Sequence, residues 1–402
     1  MTSSEVTKTP DKLSLRKKIV FSVMACCLAL SLVEGSTLLW LKIVERGVVV
    51  DNKAKDTDWI GLLNSDIGVS DVSSKLYLYD DLLFWRLRPD IGISVENIVY
   101  KTKGAPIRWN ITTNSDGFRG QNFPQANALK KPEIICLGDS CTFGFRVNDA
   151  ESYPAQLQNI LHLRGLTEAV VLNFGVPGYT SCQGLQLLRK ILRKRNPDYV
   201  IIAFGANDLE RESRSDAEKS RQTVSIEYSL ARALNHLATA KVILGALHSR
   251  RTNLSESSSG TARVATAEFR SNLQEMIDLS KQSGAKVILL NLAFMGEQYA
   301  DIASDLALEQ KAQWVDGRSV LMQGLGDLLT GKRYMKEKRE LDRFWNEQVA
   351  EYRRVYYSED FYRKLLESTN GADLLRYIMI EPVHPNRIGH GMIAEKIASF
   401  IR

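Results

Sequence analysis

Short, continuous apolar segments alternate with amphipathic helical segments along the chain from about residue 133. Such apolar runs are typical of strands buried on both faces, because a sheet covered by helices on each side has no polar face. We therefore predict an α/β fold with three layers around a mostly parallel sheet. The predicted strands are 133–137, 169–172, 199–204 and 286–290, and the predicted helices include 153–163, 183–195 and 387–401.

The N-terminal region contains one continuous apolar run, residues 19–41, whose only carboxylate is Glu34. As a helix, this run would extend about 34 Å, roughly the thickness of a bilayer core. We predict an uncleaved transmembrane helix, because the apolar run is long and no A-x-A cleavage site follows it. A cleaved signal peptide is the alternative. A lipoprotein site at Cys26 is disfavoured, since the apolar run continues beyond that residue.

Basic residues are unevenly distributed around this run. Arg16, Lys17 and Lys18 precede it, and basic residues are sparser after it. By the positive-inside rule, residues 1–18 are predicted to be cytoplasmic. The single-pass chain would then place the residues after the helix outside the cytoplasm, on the periplasmic side.

The rest of the chain divides into three parts by composition. We predict a polar stalk at 42–76, a small β-rich preamble at 77–130 and the α/β domain at 131–402. Insertions into this last domain are predicted at about 209–259 and 298–377.

Each insertion has a local pattern of its own. The first contains a predicted helix at 227–248 and a serine-rich loop at 255–259. The second is predicted to be mostly helical and is basic and aromatic from Lys332 to Tyr357. A lid over the functional site is one interpretation of it. Interleaved glutamates favour the other interpretation, an ordinary helical pair with a solvated charged face.

Composition excludes several functional classes. The 402 residues include 53 Lys and Arg against 47 Asp and Glu, and a net charge of +6 is too dilute for a phosphate-binding face. We therefore expect no nucleic-acid partner. The five cysteines form no C-x-x-C pair, and phosphate-binding glycine motifs are absent, so we expect neither a metal nor another cofactor.

A serine directly follows the first predicted strand, in the tripeptide Gly138-Asp139-Ser140. This position lies at the sheet edge where α/β proteins bind ligands. A nucleophilic serine needs a base, and His384 is the best placed of five histidines, because it lies in a loop before the last helix with Glu381 three residues upstream. The other four histidines fall within or at the ends of predicted helices: His162, His236, His248 and His390.

Loops that contain glycine follow the next two predicted strands, at 173–178 and 205–208. With these loops in order, the sequence resembles the SGNH or GDSL hydrolase family over about residues 131–401, apart from the insertions. The resemblance implies a flavodoxin-like fold. The matching residues are Gly138, Asp139 and Ser140 in block one, Gly175 in block two, Gly205, Asn207 and Asp208 in block three, and His384 in block five.

The same resemblance implies the roles of these residues. Ser140 would be the nucleophile and His384 the base. The oxyanion hole would consist of the Ser140 and Gly175 backbone N–H groups and the Asn207 side chain, donors that stabilise a developing oxyanion.

The sequence departs from the family pattern at one catalytic position. Three residues before the histidine the family usually has Asp, and this chain has Glu381. We predict a Glu381–His384 contact that completes a triad, and a Ser140–His384 dyad is the alternative. Asp139 and Asp208 are interpreted as residues that brace loops through hydrogen bonds, since short carboxylates stabilise turns.

Two motifs in the preamble, WRLRP at 85–89 and NSDGFRG at 114–120, resemble a segment that precedes this domain in membrane-anchored bacterial envelope proteins. The leading functional hypothesis is a serine hydrolase that cleaves an ester through an acyl-enzyme, with an acylated small molecule or an envelope carbohydrate as substrate. Deacetylation of a carbohydrate is the specific form considered. The alternatives are a carbohydrate O-acetyltransferase that uses the same residues and a non-catalytic scaffold or glycan-binding protein. Separate thiols at Cys141 and Cys182 are favoured over a disulfide between them.

Overall fold

The computed structural model describes residues 15–47, 75–80, 82–96, 108–125, 132–212, 214–223, 260–292, 296–336, 338–339, 378–379 and 383–402. The chain divides into two compact units. One contains the N-terminal helix and the other contains the sheet, and each is described by itself.

The helices and strands are numbered here in chain order. The helices are α1 Leu15–Gly47, α2 Ser140–Phe143, α3 Tyr153–Leu163, α4 Ser181–Leu192, α5 Asp216–Thr223, α6 Thr266–Gln282, α7 Glu297–Glu309, α8 Gly317–Leu329 and α9 Arg387–Ala398. The strands are β1 Tyr77–Asp80, β2 Phe84–Leu87, β3 Gly92–Glu96, β4 Arg108–Thr112, β5 Glu133–Gly138, β6 Val170–Gly175, β7 Tyr199–Ala203, β8 Arg211–Glu212, β9 Thr261–Ala262, β10 Lys286–Asn291 and β11 Gln313–Asp316.

Helix α1 extends over 33 residues and contains the apolar run predicted from the sequence. Its segment Arg16–Leu39 has a mean hydropathy of 2.0, and its side chains are not buried against the protein. Length and composition suit a membrane span, and a signal sequence has the same features.

The main sheet has five strands in the order β11-β10-β7-β5-β6, all parallel. Counted along the chain within this sheet, the order is 2-1-3-4-5, which is the flavodoxin-like arrangement. Helices cover both faces, so the predicted three-layer α/β fold is confirmed.

Successive side chains of β5 point to opposite faces of the sheet and therefore belong to two different hydrophobic clusters. Ile134 and Cys136 pack with α3, α8 and α9, whereas Ile135 and Leu137 pack with α4, α6 and α7. Every residue of β5 is buried, which is why its sequence is a continuous apolar run.

The four predicted strands and the three predicted helices are all present. Helix α3 has the predicted bounds, and it buries Tyr153, Leu157 and Leu161, which lie four residues apart on one face. The described part of the region 298–377 contains helices α7 and α8 and, between them, β11, the fifth strand of the main sheet, which the sequence pattern did not predict. Only Val315 of β11 is fully buried, and this edge strand therefore lacks the apolar run that marks the others.

Several predicted segments lie outside the described residues. These are most of the stalk at 42–76, the helix at 227–248, the serine-rich loop at 255–259 and the later part of the basic and aromatic region. Where the chain of the first insertion is described, β8 pairs with β9 in a short antiparallel ladder.

The β-rich segment from residue 77 to 120 contains two antiparallel hairpins, β1-β2 and β3-β4. Trp85, Trp109 and Ile111 from these hairpins are buried in the same hydrophobic cluster as Ile135 and Leu137 of the central strand. The segment therefore shares the core of the α/β sheet.

Candidate active site

Ser140 begins helix α2 immediately after the central strand β5. Asp139 caps this helix, and its Oδ1 accepts a hydrogen bond from Cys141 N at 2.9 Å. A side chain at position 138 would place its Cβ 2.1 Å from Thr142 Oγ1 and 2.7 Å from Ala203 O, so the turn requires glycine there. The strand and the capped helix together hold Ser140 at the carboxyl edge of the sheet.

The position of β5 in the sheet creates a binding site at its carboxyl end. Strand β5 lies between β6 and β7, and chain connections leave toward opposite faces at such a switch in strand order. Ser140 follows β5, Gly175 ends β6 and Asn207 follows β7, so all three lie at this common edge. Parallel pairing of these strands is what brings the three sequence blocks together.

His384 Nε2 lies 2.7 Å from Ser140 Oγ, within hydrogen-bond distance. The loop that carries His384 is held on both sides. Cys141 Sγ donates to Val383 O at 3.4 Å, and Asn386 caps α9 by accepting from Ile388 N at 2.9 Å. The structure thus places an imidazole nitrogen against the hydroxyl of the candidate nucleophile.

The ring of His384 also contacts Phe145, with centroids 4.9 Å apart. Ser140 and His384 are both partly exposed, so a reactant can approach them. The predicted third member, Glu381, lies outside the described residues.

Asn207 is positioned beside the nucleophile by two hydrogen bonds. Its Nδ2 donates to Tyr179 O at 2.9 Å and to Asp139 Oδ2 at 3.3 Å. Burial raises the pKa of Asp139 to about 6, while its hydrogen bond from Cys141 N and the nearby charge of His384 oppose this rise. The amide of Asn207 therefore links the nucleophile loop to the loop after β6.

Asp208 braces the same region, as interpreted from the sequence. Its Oδ1 accepts hydrogen bonds from Ser181 N at 2.9 Å and Ser181 Oγ at 2.5 Å. Burial raises the pKa of Asp208 to about 7. This carboxyl group ties the loop after β7 to the start of α4.

The structure does not leave the backbone N–H of Gly175 free for an oxyanion. That N–H donates to Asn173 Oδ1 at 2.9 Å, a side-chain bond within the same strand that backbone spacing alone does not reveal. A Cβ on Gly175 would lie 2.2 Å from Phe143 N, so glycine here lets helix α2 approach β6 closely. The expectation that Gly175 is an oxyanion donor is corrected accordingly.

Gly178 is a candidate backbone donor in this loop that the sequence pattern did not single out. It adopts a left-handed conformation with φ of +79°, and no hydrogen bond from its N–H occurs within the described part of the chain. The neighbouring carbonyl of Tyr179 accepts from Asn207. The dipeptide Pro177-Gly178 was the sequence feature that indicated this N–H, because proline and glycine together predict a turn after the strand.

His390 and the two cysteines near the site lie where a structural role, and not a chemical one, fits their surroundings. His390 is fully buried, and its Nδ1 accepts from Tyr153 N at 3.2 Å. Burial lowers the pKa of His390 to about 3, and the charge of Arg119 acts in the same direction. Cys141 and Cys182 are free thiols. Within the described ranges, no group of three or more His, Cys, Asp or Glu side chains is arranged to hold a metal ion.

A sequence model of the GDSL-like lipase/acylhydrolase family matches residues 136–392, which include Ser140, Asn207 and His384. The chain belongs to the GDSL-like lipase/acylhydrolase family. This match begins within β5 and ends within α9, so it includes the second half of β5 and all of β6, β7, β10 and β11.

Two curated relatives illustrate the similarity of this chain to other proteins. It is 24% identical over 177 residues to an arylesterase of Vibrio mimicus, a match that covers 43% of this chain and 62% of that protein. It is 32% identical over 75 residues to the thioesterase 1/protease 1/lysophospholipase L1 of Escherichia coli strain K12, which covers 19% of this chain and 34% of that protein. The matches therefore span less than two thirds of either relative.

Similar solved structures include a lipase/acylhydrolase from Enterococcus faecalis. It is 17% identical, with a TM-score of 0.39, and the match covers 67% of the chain described here and 95% of the Enterococcus faecalis chain. An acetyl xylan esterase is 16% identical with a TM-score of 0.36, and the match covers 67% of this chain and 100% of that chain. The fold assignment rests instead on the order and parallel pairing of the five strands.

Proposed function

We propose that this acylhydrolase cleaves esters through a covalent acyl-enzyme on Ser140, with His384 as the base. The observation that carries the proposal is the 2.7 Å separation of His384 Nε2 and Ser140 Oγ at the ligand-binding edge of the sheet. A serine hydroxyl becomes an effective nucleophile only when such a base accepts its proton.

Acylation of the enzyme follows from this arrangement. Ser140 Oγ attacks the ester carbonyl while its proton passes to His384 Nε2, and the carbonyl electrons move onto the oxygen. The tetrahedral intermediate then collapses, and the leaving alkoxide takes the proton from His384 as an alcohol. Ser140 is left as an acyl ester.

Deacylation repeats these steps with water. His384 accepts a proton as water attacks the acyl carbonyl, and the proton returns to Ser140 Oγ as the acid is released. Each cycle therefore consumes one ester and one water and restores the free serine.

The oxyanion of both intermediates requires preorganised donors. We assign the Ser140 N–H, the Gly178 N–H and Asn207 Nδ2 to this role. Asn207 Nδ2 already points to the nucleophile loop through its 3.3 Å bond to Asp139 Oδ2. That long bond is the one Asn207 exchanges for a bond to the oxyanion.

A carbohydrate ester of the cell envelope is the proposed substrate class, with acetate as the acyl group. The apolar helix α1 supports this location, because a membrane anchor with the preceding basic residues would hold the catalytic domain on the periplasmic side. The two curated relatives have names that refer to aryl esters, thioesters and lysophospholipids, and such a range of leaving groups favours the shared acyl chemistry over any one alcohol.

Two alternatives share parts of this proposal. An O-acetyltransferase would use the same acyl-enzyme and pass the acyl group to a sugar hydroxyl in place of water. A non-catalytic scaffold would retain the fold without turnover. The hydrogen-bonded Ser140 and His384 favour an enzyme over the scaffold.

The decisive experiment uses the full chain in detergent with p-nitrophenyl acetate and a fluorophosphonate probe. We expect release of p-nitrophenol and a probe adduct that mass spectrometry maps to Ser140, and both are lost in Ser140→Ala. A wild-type chain that neither turns over the ester nor reacts with the probe, while folded, would support the scaffold instead.

A second experiment addresses the substrate. Purified acetylated polysaccharide is the donor, and released acetate is compared with acetyl transfer to an added oligosaccharide. Acetate release without transfer supports the deacetylase. Transfer in preference to release supports the acetyltransferase, and turnover of longer aliphatic esters alone would contradict both carbohydrate assignments.

A further inference from the structure

The two preamble motifs, WRLRP at 85–89 and NSDGFRG at 114–120, contact two loops of the proposed site. Neither motif lies within the region matched to the family. Trp85 reaches the loop that carries Gly178, and Arg119 reaches the loop that carries Ser140. Each contact uses a buried side chain with defined hydrogen bonds.

The turn at 114–120 is built to direct Arg119 inward. Asn114 Oδ1 accepts from Asp116 N at 3.1 Å and Phe118 N at 2.9 Å, which closes the turn. Gly117 has a φ of +78°, and a Cβ on it would lie 2.6 Å from Leu87 O. The turn therefore packs directly against the WRLRP segment, and glycine is required at the contact.

The guanidinium group of Arg119 is almost completely buried and uses all five of its N–H donors. Such a planar group fixes several acceptors in one geometry, which a lysine ammonium does not. Its acceptors are Phe143 O at 2.8 Å, Gly144 O, Val147 O at 2.5 Å, Asn110 O at 3.1 Å and Asp149 Oδ1 at 2.6 Å.

Three of these acceptors belong to the nucleophile loop, at the end of the helix that Ser140 begins. Helix α2 has only four residues, so its two ends move together. Gly144 N and Phe145 N both donate to Ser140 O, at 3.0 and 2.9 Å. A displacement of the Gly144 carbonyl therefore displaces the Ser140 backbone directly.

Trp85 holds the other loop in a similar way. Its Nε1 donates to Pro177 O at 3.2 Å, and Tyr179 Oη donates to Trp85 O at 2.6 Å. These bonds lie on either side of Gly178, whose carbonyl accepts from Arg263 at 2.9 Å. The backbone that carries the proposed oxyanion donor is thus held from two sides.

We infer that residues 84–96 and 108–120 form a positioning element of the active site, in which Arg119 positions Ser140 and Trp85 positions Gly178. The expected effect on catalysis rests on the proposed function. The expectation that Arg119 holds the loop of Ser140 in place does not depend on it. Arg119 touches no reacting atom, and it acts through the carbonyl groups at the end of α2. The preamble therefore contributes to turnover although it lies outside the catalytic sequence blocks.

The test compares Arg119→Lys with Arg195→Lys. Arg195 is a matched control, because it also joins the preamble end to the sheet, through Pro124 O at 2.8 Å and Glu133 Oε1 at 3.3 Å, but at the amino end of β5. We expect Arg119→Lys to lower kcat and the rate of fluorophosphonate labelling about 10- to 100-fold, since misplacement of a reacting group by 1 Å has an effect of this size. KM should change less than threefold.

Hydrogen exchange supplies a readout that does not depend on activity. Backbone amides of residues 143–147 should exchange faster in Arg119→Lys and remain protected in Arg195→Lys. Asp149→Asn weakens the same cluster more mildly, so it provides a second variant if Arg119→Lys does not fold. It should show the same local change with a smaller loss of kcat.

The outcomes separate this inference from the proposed function. A wild-type chain without labelling refutes the proposed function, and the exchange data then still decide whether Arg119 holds the loop. Wild-type kcat and labelling in Arg119→Lys, accompanied only by a lower melting temperature, would overturn the positioning role. Equal exchange of residues 143–147 in the wild type and both Arg119→Lys and Asp149→Asn would overturn the structural part.

Discussion

His384 Nε2 lies 2.7 Å from Ser140 Oγ, although the two residues are 244 positions apart in the chain. The serine follows the central strand, and the histidine precedes the last helix of the domain. That helix, α9, packs in one hydrophobic cluster with α3 and with β5, the strand that precedes Ser140. This packing brings the loop of His384 to the carboxyl end of β5. The pairing of the two residues is therefore a consequence of the whole domain.

The first prediction concerns the base. His384→Gln should lower kcat by about three orders of magnitude or more, because the serine then has no proton acceptor. His162→Gln is the control, since His162 Nε2 lies 2.9 Å from Ala169 O in a bond remote from the serine. Steady-state kinetics with p-nitrophenyl acetate give the comparison. Similar kcat values for the two variants would refute the assignment.

The second prediction concerns the carboxylate. Because Nε2 of His384 faces Ser140, Nδ1 is the nitrogen that a triad carboxylate would contact. Glu381→Gln should keep the fold and lower kcat strongly, whereas Glu381→Asp should retain much of the activity. The measurement is kcat, with circular dichroism as the folding control. An unchanged kcat in Glu381→Gln would mean that Ser140 and His384 work as a dyad.

The third prediction concerns the oxyanion. Asn207→Ala removes a donor, so kcat should fall about 10²- to 10³-fold with little change in KM. Asn272→Ala is the control, because Asn272 Nδ2 donates to Ser181 Oγ at 3.0 Å and has no place near the oxyanion. A kcat of Asn207→Ala within threefold of the wild-type value would exclude Asn207 from the oxyanion hole.

The fourth prediction concerns pH and stability. Burial raises the pKa of Asp208 from its ordinary value near 4 to about 7, so the native state binds more protons than the unfolded state between these pH values. The contribution of Asp208 to the free energy of unfolding is therefore fully present below about pH 4 and is lost as pH rises toward 7.

Asp208→Asn should remove this share of the pH dependence. The difference in unfolding free energy, variant minus wild type, should increase from pH 4 to pH 8 when measured by urea denaturation. Asp301→Asn, at an exposed position on α7, is the control and should give a flat difference. A flat difference for Asp208→Asn as well would contradict the assigned shift.

The fifth prediction concerns membrane topology. A phosphatase reporter fused after Arg402 should be active in intact cells, because Arg16, Lys17 and Lys18, which precede the apolar run 19–41, favour a cytoplasmic N-terminus. A fluorescent reporter that requires the cytoplasm to fold should be dark at the same position. The reverse pair of results would invert the orientation, and release of the mature chain from membranes would indicate a cleaved signal sequence.

Where sequence patterns are local, they predicted the structure closely. The apolar strand before Ser140 and the helix Tyr153–Leu163 are examples, since continuous burial and helical spacing leave a direct mark on the residues. The edge strand Gln313–Asp316 was missed because its partner lies on one side only and its residues are half polar. Its place in the sheet depends on pairing with β10.

The α/β class, the serine at a strand end and the histidine before the last helix can be predicted from sequence patterns, because each depends on residues that are close in the chain. The hydrogen bond from Gly175 N–H to Asn173 and the contact of Arg119 with the loop of Ser140 become visible only in the folded domain. Hydrogen bonds of this kind depend on side-chain direction and on contacts between distant segments. Side-chain direction and contacts between distant segments produce no periodic pattern of residues in the sequence. They are determined by the packing of the complete domain.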